Sequence, residues 1–361
     1  PTFMQAIIQE NNIQIKKVAK SRLSEVDLDK VQFGKTFTDH MFSADYSDGV
    51  WGDLKIEPFG PLAMNPATAI LHYGQGIFEG MKAFRDASGK VQVFRPEMNL
   101  KRLNYSAQRM AIPEIPESLF MDALFQWLRL DADWVPYGED GSLYIRPFVF
   151  STEEFVGIKP GQHFKFMIIG SPVGKYYSRP VRVYITDKYV RAFKGGTGHI
   201  KAIGNYAVTM KPLQEVQELG YDQILWVDGV HFNKIQEIGT MNVFFVIDDV
   251  VITPPTEELT ILPGITRDSC ITLLKDNGYK VEERNITVEE IMDAIKNGTM
   301  QDAFGTGTAA TIATIGEIGY KDSNYKLPDA TKRKVSNWLA DTMRDIRKGE
   351  ISDKFNWMKE I

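Results

Sequence analysis

Apolar and polar residues follow two different periods in the first half of the chain. Residues 90–96 alternate as a strand does, and residues 142–150 and 164–172 are rich in aromatic and β-branched side chains. In residues 99–110 and 118–130 the apolar positions recur instead with the spacing of one helix face. This mixture of strands and amphipathic helices predicts an α/β (α+β) domain.

The pattern changes from Val181 onward. Short apolar stretches, residues 181–186, 222–229, 241–249 and 250–255, are punctuated by Asp-Gly and Asp-Asp pairs. Short strands joined by such turns are typical of barrels and sandwiches. The second half therefore predicts a domain with a barrel-like or sandwich β core.

Three helices are predicted to interrupt these strands. One follows Asn205 and runs to Leu219, and another spans about residues 265–275. The third begins with a capping box, because Thr287 is followed three residues later by Glu290.

A connector between two domains is predicted at residues 171–180, which carry prolines, a glycine and polar residues. We therefore predict an N-terminal α/β domain over residues 1–172 and an interdomain loop over residues 173–180. Residues 181–361 form the C-terminal domain, which is expected to be the larger of the two.

Composition and charge exclude several classes of function. The 361 residues are 43% hydrophobic with a net charge of -5, which gives no basic face for nucleic acid. No apolar run is long enough to span a membrane, and no signal-peptide pattern begins the chain. A single cysteine, Cys270, and five scattered histidines argue against disulfides and metal sites. We expect a cytoplasmic protein without a metal.

The most unusual local feature is the glycine-rich stretch KGGTGHIKAIGNYA, residues 194–207, with Lys201 at its centre. It fits neither a dinucleotide fingerprint nor a Walker loop, because Lys201 occupies the third glycine position and lacks the Walker neighbours. An amine that forms a Schiff base needs desolvation and neighbours that lower its pKa. Tyr206 and Glu237 are candidates to bind a flat cofactor on such a lysine, with Glu237 on a pyridine nitrogen.

A phosphate anchor is available at two other places. Residues 262–266, LPGIT, start a helix whose free N–H groups favour an anion. Residues 304–310, FGTGTAA, form a second turn of small residues. Together with the lysine, these features describe pyridoxal phosphate.

The chain resembles the class IV (fold type IV) aminotransferases, and most closely the branched-chain amino acid aminotransferases. The resemblance runs through FGKTFTDHM, HYGQGIFEGMKAF, FRPEMNLKRL, LYIRP, GTGHIKAIGNYA, EIGTMNVFF, LPGITR and FGTGTAA. It implies a two-domain enzyme with pyridoxal phosphate bound in a C-terminal domain that has a β-barrel-like core.

The resemblance also implies roles for individual residues around the cofactor. Lys201 is the catalytic residue and forms the Schiff base, Tyr206 bonds the phenolic oxygen, and Glu237 bonds the ring nitrogen. The arginine at the phosphate is Arg102, with Arg95 as a rival. The other residues expected at the cofactor are Arg191, Ile265, Thr266 and Thr308.

A further set of residues is implied for the amino acid and 2-oxo acid substrates. Arg146 with Tyr73 is the candidate for the distal carboxylate of glutamate, and Ile158 would reach the site of a partner subunit in a homodimer. The set comprises Phe33, Tyr73, Phe78, Tyr144, Arg146, Ile158, Thr240, Thr308 and Ala309.

The implied activity is transfer of the amino group from leucine, isoleucine or valine to 2-oxoglutarate by a ping-pong mechanism. A D-amino acid aminotransferase and an aminodeoxychorismate lyase remain alternatives within the class. A nucleotide-dependent ligase or kinase and a noncatalytic binding protein are alternatives from other classes. One departure excludes a thiol switch: Ala310 and Ala313 stand where mammalian relatives carry a C-x-x-C pair.

Overall fold

The computed structural model describes residues 7–8, 12–174 and 179–361. Within these residues the chain forms 19 strands, eight α-helices and three short 3-10 helices. The helices are α1 Ile70–Tyr73, α2 Pro96–Arg109, α3 Glu117–Leu130, α4 Gly204–Ala207, α5 Met210–Glu218, α6 Ile265–Asp276, α7 Val288–Lys296 and α8 Lys334–Lys348, and the 3-10 helices are Leu23–Glu25, Ala132–Trp134 and Ala330–Lys332. The strands are β1 Ile7–Ile8, β2 Gln14–Ile15, β3 His40–Ser47, β4 Val50–Pro58, β5 Gly76–Phe78, β6 Met81–Arg85, β7 Val91–Phe94, β8 Ser142–Ser151, β9 Phe164–Val173, β10 Val181–Ile185, β11 Gln223–Val227, β12 Ile235–Ile238, β13 Met241–Ile247, β14 Val250–Thr253, β15 Lys280–Glu283, β16 Met300–Gly307, β17 Thr311–Tyr320, β18 Ser323–Lys326 and β19 Met358–Glu360.

The described residues divide into two compact units. The first takes in the chain up to Gly174 together with residues 201–204 and 345–361. The second takes in residues 179–200 and 205–344. Residues 201–204 and the chain end are predicted from the sequence to belong to a larger C-terminal domain, whereas in the structure they lie in the first unit, which has more residues.

The first unit is built on a ten-stranded sheet in the order β1-β4-β3-β9-β8-β6-β7-β19, with β2 on β4 and β5 on β8. The antiparallel ladder between β8 and β9 runs the full ten residues of each strand. Helices α2 and α3 contribute their apolar faces to a core with Trp127 and Phe166, which are both fully buried. Burial of these large side chains is the main stabilising term for this unit.

The second unit contains a closed ring of six strands. The order is β12-β11-β10-β17-β16-β13, and β13 pairs again with β12. Because a closed ring leaves its members no open edge, it stabilises a β core without an exposed ladder. The predicted barrel-like core is confirmed.

Several local predictions match the helices. Thr287 and Glu290 form a capping box at the start of α7. The helix predicted after Asn205 is instead two pieces, α4 and α5. The Asn205 side chain donates to the carbonyls of Thr197 and Ile200 and holds α4 to the glycine-rich stretch.

Candidate active site

The backbone of Lys201 is fixed beside β5 in the first unit. Phe78 N donates to the carbonyl of Lys201 at 3.1 Å, and Ile203 N donates to the carbonyl of Gly76 at 3.1 Å. The Lys201 N–H donates to Ser106 Oγ of α2 at 3.0 Å. The hydrogen bonds to β5 and to α2 therefore fix the backbone position from which the Lys201 side chain extends.

The amine itself lies among aromatic and charged groups of the same unit. Lys201 Nζ is 4.8 Å from the ring centre of Phe78. Burial, followed by the neighbouring Arg102 guanidinium, lowers the pKa of Lys201 from 10.5 to about 8, with a smaller lowering from Arg146. Tyr144 and Glu79 act in the opposite direction. An amine with this pKa supplies a neutral nucleophile near physiological pH.

Arg146 belongs to a cluster with three predicted substrate residues that have aromatic side chains. Its Nη2 donates to Tyr144 Oη at 3.0 Å, and its guanidinium lies 4.3 Å from the ring centre of Phe78. The ring of Phe33 meets Tyr144 edge-on at 4.9 Å. Among the described residues, Arg146 Nε is buried without a hydrogen-bond partner, so this guanidinium has capacity for a carboxylate.

Arg102 is held in a buried ion pair with Glu79. Nε donates to Oε1 at 2.8 Å and Nη2 to Oε2 at 2.7 Å, and the exposed fractions of Arg102 and Glu79 are 7% and 0%. Asn99 Nδ2 also donates to Glu79 Oε2 at 2.7 Å. The pair lies close enough to Lys201 to shift its pKa.

Arg95 is placed differently from Arg102. Its backbone is left-handed at φ 46°, immediately before α2, and its guanidinium lies 5.2 Å from the ring centre of Trp357. Its position against the C-terminal segment supports Arg102 as the arginine of the predicted phosphate site.

Glu237 lies on β12 in the second unit and is 3% exposed. Its Oε2 forms an ion pair with Arg191 Nη2, and Asn242 Nδ2 lies 3.5 Å from its Oε1. The guanidinium compensates the charge of the buried carboxylate.

Arg191 connects Glu237 to the glycine-rich stretch. Its Nη2 also donates to the carbonyls of Gly198, at 2.9 Å, and Thr260, at 2.7 Å. A Cβ on Gly198 would lie 2.2 Å from Ala192 Cβ and 2.7 Å from the Thr260 carbonyl oxygen. Glycine at 198 is therefore required by close packing. The predicted role of Arg191 was at the phosphate, whereas the structure places its guanidinium on Glu237.

The start of α6 offers an anion site in the second unit. Gly264 precedes the helix without a side-chain cap, and Ile265 and Thr266 form its buried first turn. Thr266 Oγ1 donates to the Gly307 carbonyl at 3.3 Å, which links the helix to the small-residue turn that follows β16. The N–H groups of this first turn have no partners within the helix.

The remaining predicted residues occupy several places. Tyr206 lies half-buried in α4, Thr240 is exposed in the turn between β12 and β13, and Thr308 and Ala309 are half-buried between β16 and β17.

Tyr73 and Ile158 lie together in the first unit. They line a cavity of about 390 Å³ whose lining does not include Lys201. Tyr73 was predicted to act with Arg146, whereas the hydroxyl that contacts Arg146 belongs to Tyr144.

The described residues contain neither a metal-binding cluster nor a helix that could cross a membrane. Among the described residues, no group of three or more histidine, cysteine, aspartate and glutamate side chains could hold a metal ion. No helix in the same part of the chain is long and apolar enough to cross a membrane.

Sequence reasoning missed four residues that support the site. Glu79 and Asn99 hold Arg102, and Ser106 holds the backbone of Lys201. Gly80 is required because a Cβ would lie 2.2 Å from Tyr144 Oη. All four lie in HYGQGIFEGMKAF or in the helix that begins in FRPEMNLKRL, so those stretches marked the region, although not the contacts.

Comparison with known proteins decides the family. Residues 76–318 match the family described as amino-transferase class IV. The chain belongs to the class IV aminotransferases. It is 42% identical over 349 residues to branched-chain-amino-acid aminotransferase 2 of Bacillus subtilis (strain 168), covering 96% of each chain.

Solved structures of class IV aminotransferases have the same fold. A branched-chain aminotransferase from Thermoproteus uzoniensis with norvaline has a TM-score of 0.73 and 26% identity, over 89% of this chain and 99% of that one. A T.th. branched-chain amino acid aminotransferase with pyridoxamine 5'-phosphate has a TM-score of 0.71 and 25% identity, over 88% of this chain and 97% of that one. The resemblance seen in the sequence and the predicted two-domain fold class are confirmed.

Proposed function

We propose that this class IV aminotransferase transfers the amino group of leucine, isoleucine or valine to 2-oxoglutarate. The observation that carries the proposal is the half-buried Lys201, with its pKa of about 8, beside an arginine and an aromatic ring in a chain of this family. Full-length similarity to branched-chain aminotransferases supports this substrate class over D-amino acids or aminodeoxychorismate.

Pyridoxal phosphate fits the residues that are present. The amine of Lys201 matches its aldehyde in chemistry, and the buried carboxylate of Glu237 matches its ring nitrogen. The phosphate is matched by the guanidinium of Arg102 and by the helix start at Ile265 and Thr266. Arg191 Nε is buried without a hydrogen-bond partner among the described residues, which indicates polar capacity still unused beside Glu237. When bound, pyridoxal phosphate supplies an electron sink for the α-carbon of the substrate.

The chain contributes binding, orientation and proton transfer. Lys201 Nζ would take a proton from the α-carbon of the substrate. It would then return the proton to the carbon on the other side of the substrate nitrogen. Glu237 would hold a proton at the ring nitrogen, and Tyr206 would orient the ring through its hydroxyl. The groups that would hold the phosphate are Arg102 in the first unit and, in the second, Thr308 and the N–H groups of Ile265 and Thr266.

The side-chain pocket for the substrate would be aromatic. Phe33, Phe78 and Tyr144 offer apolar surface to an aliphatic chain, and one methylene group changes binding in such a pocket by only about 1–3 kcal/mol. All three branched amino acids are therefore expected substrates. Arg146 would receive the distal carboxylate of glutamate, and Thr240 with the Thr308–Ala309 turn would receive the α-carboxylate.

A homodimer with shared sites is part of the proposal. Ile158 is 91% exposed and Val156 is 63% exposed, and Tyr73 and Leu71 are exposed apolar residues of the same unit. Such a group of apolar side chains is typical of an interface. Sedimentation equilibrium tests it, since a monomer at micromolar concentration would contradict a dimer.

The single cysteine, Cys270, agrees with the predicted cytoplasmic location.

Lys201→Ala tests the proposed chemistry. The change removes both the covalent anchor and the proton-transferring amine, so turnover of L-leucine with 2-oxoglutarate should fall by at least about 10²–10⁴. Steady-state assays at saturating pyridoxal phosphate measure the loss. Near-normal turnover of the variant without added amine would show that Lys201 is not the catalytic residue.

A further inference from the structure

Glu79 has more hydrogen-bond partners than a surface ion pair requires. It is 0% exposed, and its carboxylate accepts from Nε and Nη2 of Arg102, from Asn99 Nδ2, and from Gly80 N at 3.3 Å. The Glu79 N–H donates to the Pro147 carbonyl at 2.8 Å, which fixes the backbone as well. A carboxylate held at this many points is rigid.

The arrangement constrains Arg102 strongly. A guanidinium is planar, so the two parallel bonds through Nε and Nη2 fix both its plane and its direction. Glu79 thereby occupies one edge of Arg102 and sets the direction in which the rest of the guanidinium points. Both residues are near Lys201, because Glu79 follows Phe78, whose N–H donates to the Lys201 carbonyl, and Arg102 lies one helical turn before Ser106, which accepts from the Lys201 N–H.

We propose that Glu79 is a positioning residue for cofactor binding, which fixes the orientation in which the guanidinium of Arg102 meets the phosphate. The inference rests on the proposed function, since it assumes pyridoxal phosphate as the ligand. Preorganised donors bind an anion more tightly than mobile ones, because the cost of ordering them has already been met in the free protein.

Two opposite effects of Glu79 make the proposal testable. As an orienting group, Glu79 strengthens phosphate binding. As a nearby negative charge, it weakens the attraction of Arg102 for an anion. Glu79→Gln removes the charge and places an amide N–H group against an N–H of Arg102, so one of the parallel bonds is lost. If orientation dominates, the variant binds phosphate more weakly, and if charge dominates, it binds phosphate more tightly.

The experiment compares pyridoxal phosphate with pyridoxal, which lacks the phosphate. The full chain, freed of cofactor, is titrated with each, and the ratio of the two dissociation constants isolates the phosphate contribution. In Glu79→Gln the preference for pyridoxal phosphate should fall roughly tenfold to a hundredfold. Glu79→Asp keeps the charge but withdraws the carboxylate, so an intermediate fall is expected. Glu117→Gln, an exposed residue at the start of α3, is the matched control and should keep the wild-type ratio.

A second measurement separates positioning from loosening of the fold. The Glu79 charge raises the pKa of Lys201, so Glu79→Gln should lower that pKa below about 8, whereas Glu79→Asp should leave it close to the wild-type value. A loosened site would admit water and move the pKa up toward 10.5. The pH dependence of amine labelling at Lys201, followed by peptide mass mapping, measures the direction.

The outcomes separate the inference from the proposed function. A reduced ratio together with a lowered Lys201 pKa supports the inference. An unchanged or increased ratio in Glu79→Gln overturns it, and so does a raised pKa. If Glu79→Gln does not fold, Glu79→Asp decides: a reduced ratio supports the inference and a wild-type ratio overturns it. A wild-type protein that binds neither compound refutes the proposed function, and the inference with it.

Discussion

Two buried glutamate–arginine pairs, one in each unit, have the same chemistry but different surroundings. In the first unit, Glu79 accepts both Nε and Nη2 of Arg102 and has Asn99 as a third donor. In the second, Glu237 pairs with Nη2 of Arg191, and that nitrogen also serves the carbonyls of Gly198 and Thr260.

The difference indicates which partner of each pair acts on the ligand. Glu79 accepts hydrogen bonds from several donors and holds Arg102 in place. We therefore assign Arg102 to the proposed phosphate site. Arg191 is divided between backbone carbonyls and a carboxylate, so it supports its glutamate, and we assign Glu237 to the ring nitrogen. Under the proposed function, the cation of the first pair would bind the cofactor, and in the second pair the anion would do so.

The largest expected effect comes from removing either arginine. Arg102→Leu and Arg191→Leu each remove the guanidinium that compensates a buried glutamate, so the free energy of unfolding should fall by about 3–5 kcal/mol. Urea unfolding measures the loss. The control is Arg179→Leu, which breaks the exposed pair with Asp222 and should cost no more than about 1 kcal/mol. A loss no greater than that of the control in either buried pair would contradict the account of that pair.

The next largest effect is expected from changing Glu237, the carboxylate proposed for the ring nitrogen in the second pair. Glu237→Gln cannot hold a proton at the ring nitrogen as an anion can, so turnover should fall by roughly a hundredfold at saturating pyridoxal phosphate. Stopped-flow or steady-state assays with L-leucine measure it. Turnover within a few-fold of the wild type, in a folded variant, would remove Glu237 from the proposed mechanism.

Arg146 provides a third case, because no carboxylate among the described residues pairs with it. Its Nη2 donates to Tyr144 Oη and its buried Nε has no hydrogen-bond partner in the described part of the chain, so the guanidinium has capacity for a carboxylate of the substrate. Arg146→Leu should slow the half-reaction with glutamate roughly tenfold to a hundredfold more than the half-reaction with leucine. Single-turnover rates for each amino acid give the ratio, and equal losses would refute the division of roles.

The smallest effect concerns the asparagines beside each glutamate. Asn99 Nδ2 lies 2.7 Å from Glu79 Oε2, whereas Asn242 Nδ2 lies 3.5 Å from Glu237 Oε1. Double-mutant cycles with alanine at each asparagine and glutamine at each glutamate should give a coupling of about 1–2 kcal/mol for the first pair. The coupling of the second should be near zero, since 3.5 Å is the limit of a hydrogen bond. Equal couplings would contradict the difference in geometry.

Local patterns predicted the elements well but not the contacts between distant segments. Periodicity located α2 and α3, because each presents one apolar face to a core, whereas the capping box at Thr287 located α7. The chain end was misassigned because Met358–Glu360 pairs with β7, a partner far away in the sequence that no local pattern indicates.

The candidate site was predictable to the same extent. Lys201, Arg102 and Glu237 were singled out through their motifs, and their roles at the cofactor stay predictions. Glu79, Asn99 and Ser106 were missed because no local pattern indicates their contacts. Glu79 bonds Arg102, Asn99 bonds Glu79, and Ser106 bonds the backbone of Lys201. A buried glutamate in IFEGMKAF was the available signal, since an isolated carboxylate in such an apolar stretch requires a partner.

The most direct test of the central claim is the absorbance spectrum of the purified protein with pyridoxal phosphate, recorded before and after L-leucine and again with D-alanine. Borohydride reduction and peptide mass mapping then locate the cofactor. The account predicts a visible cofactor band that shifts with L-leucine but not with D-alanine, and a reduced pyridoxyl adduct on Lys201. A shift with D-alanine alone would contradict the substrate, and no band at all would contradict the enzyme.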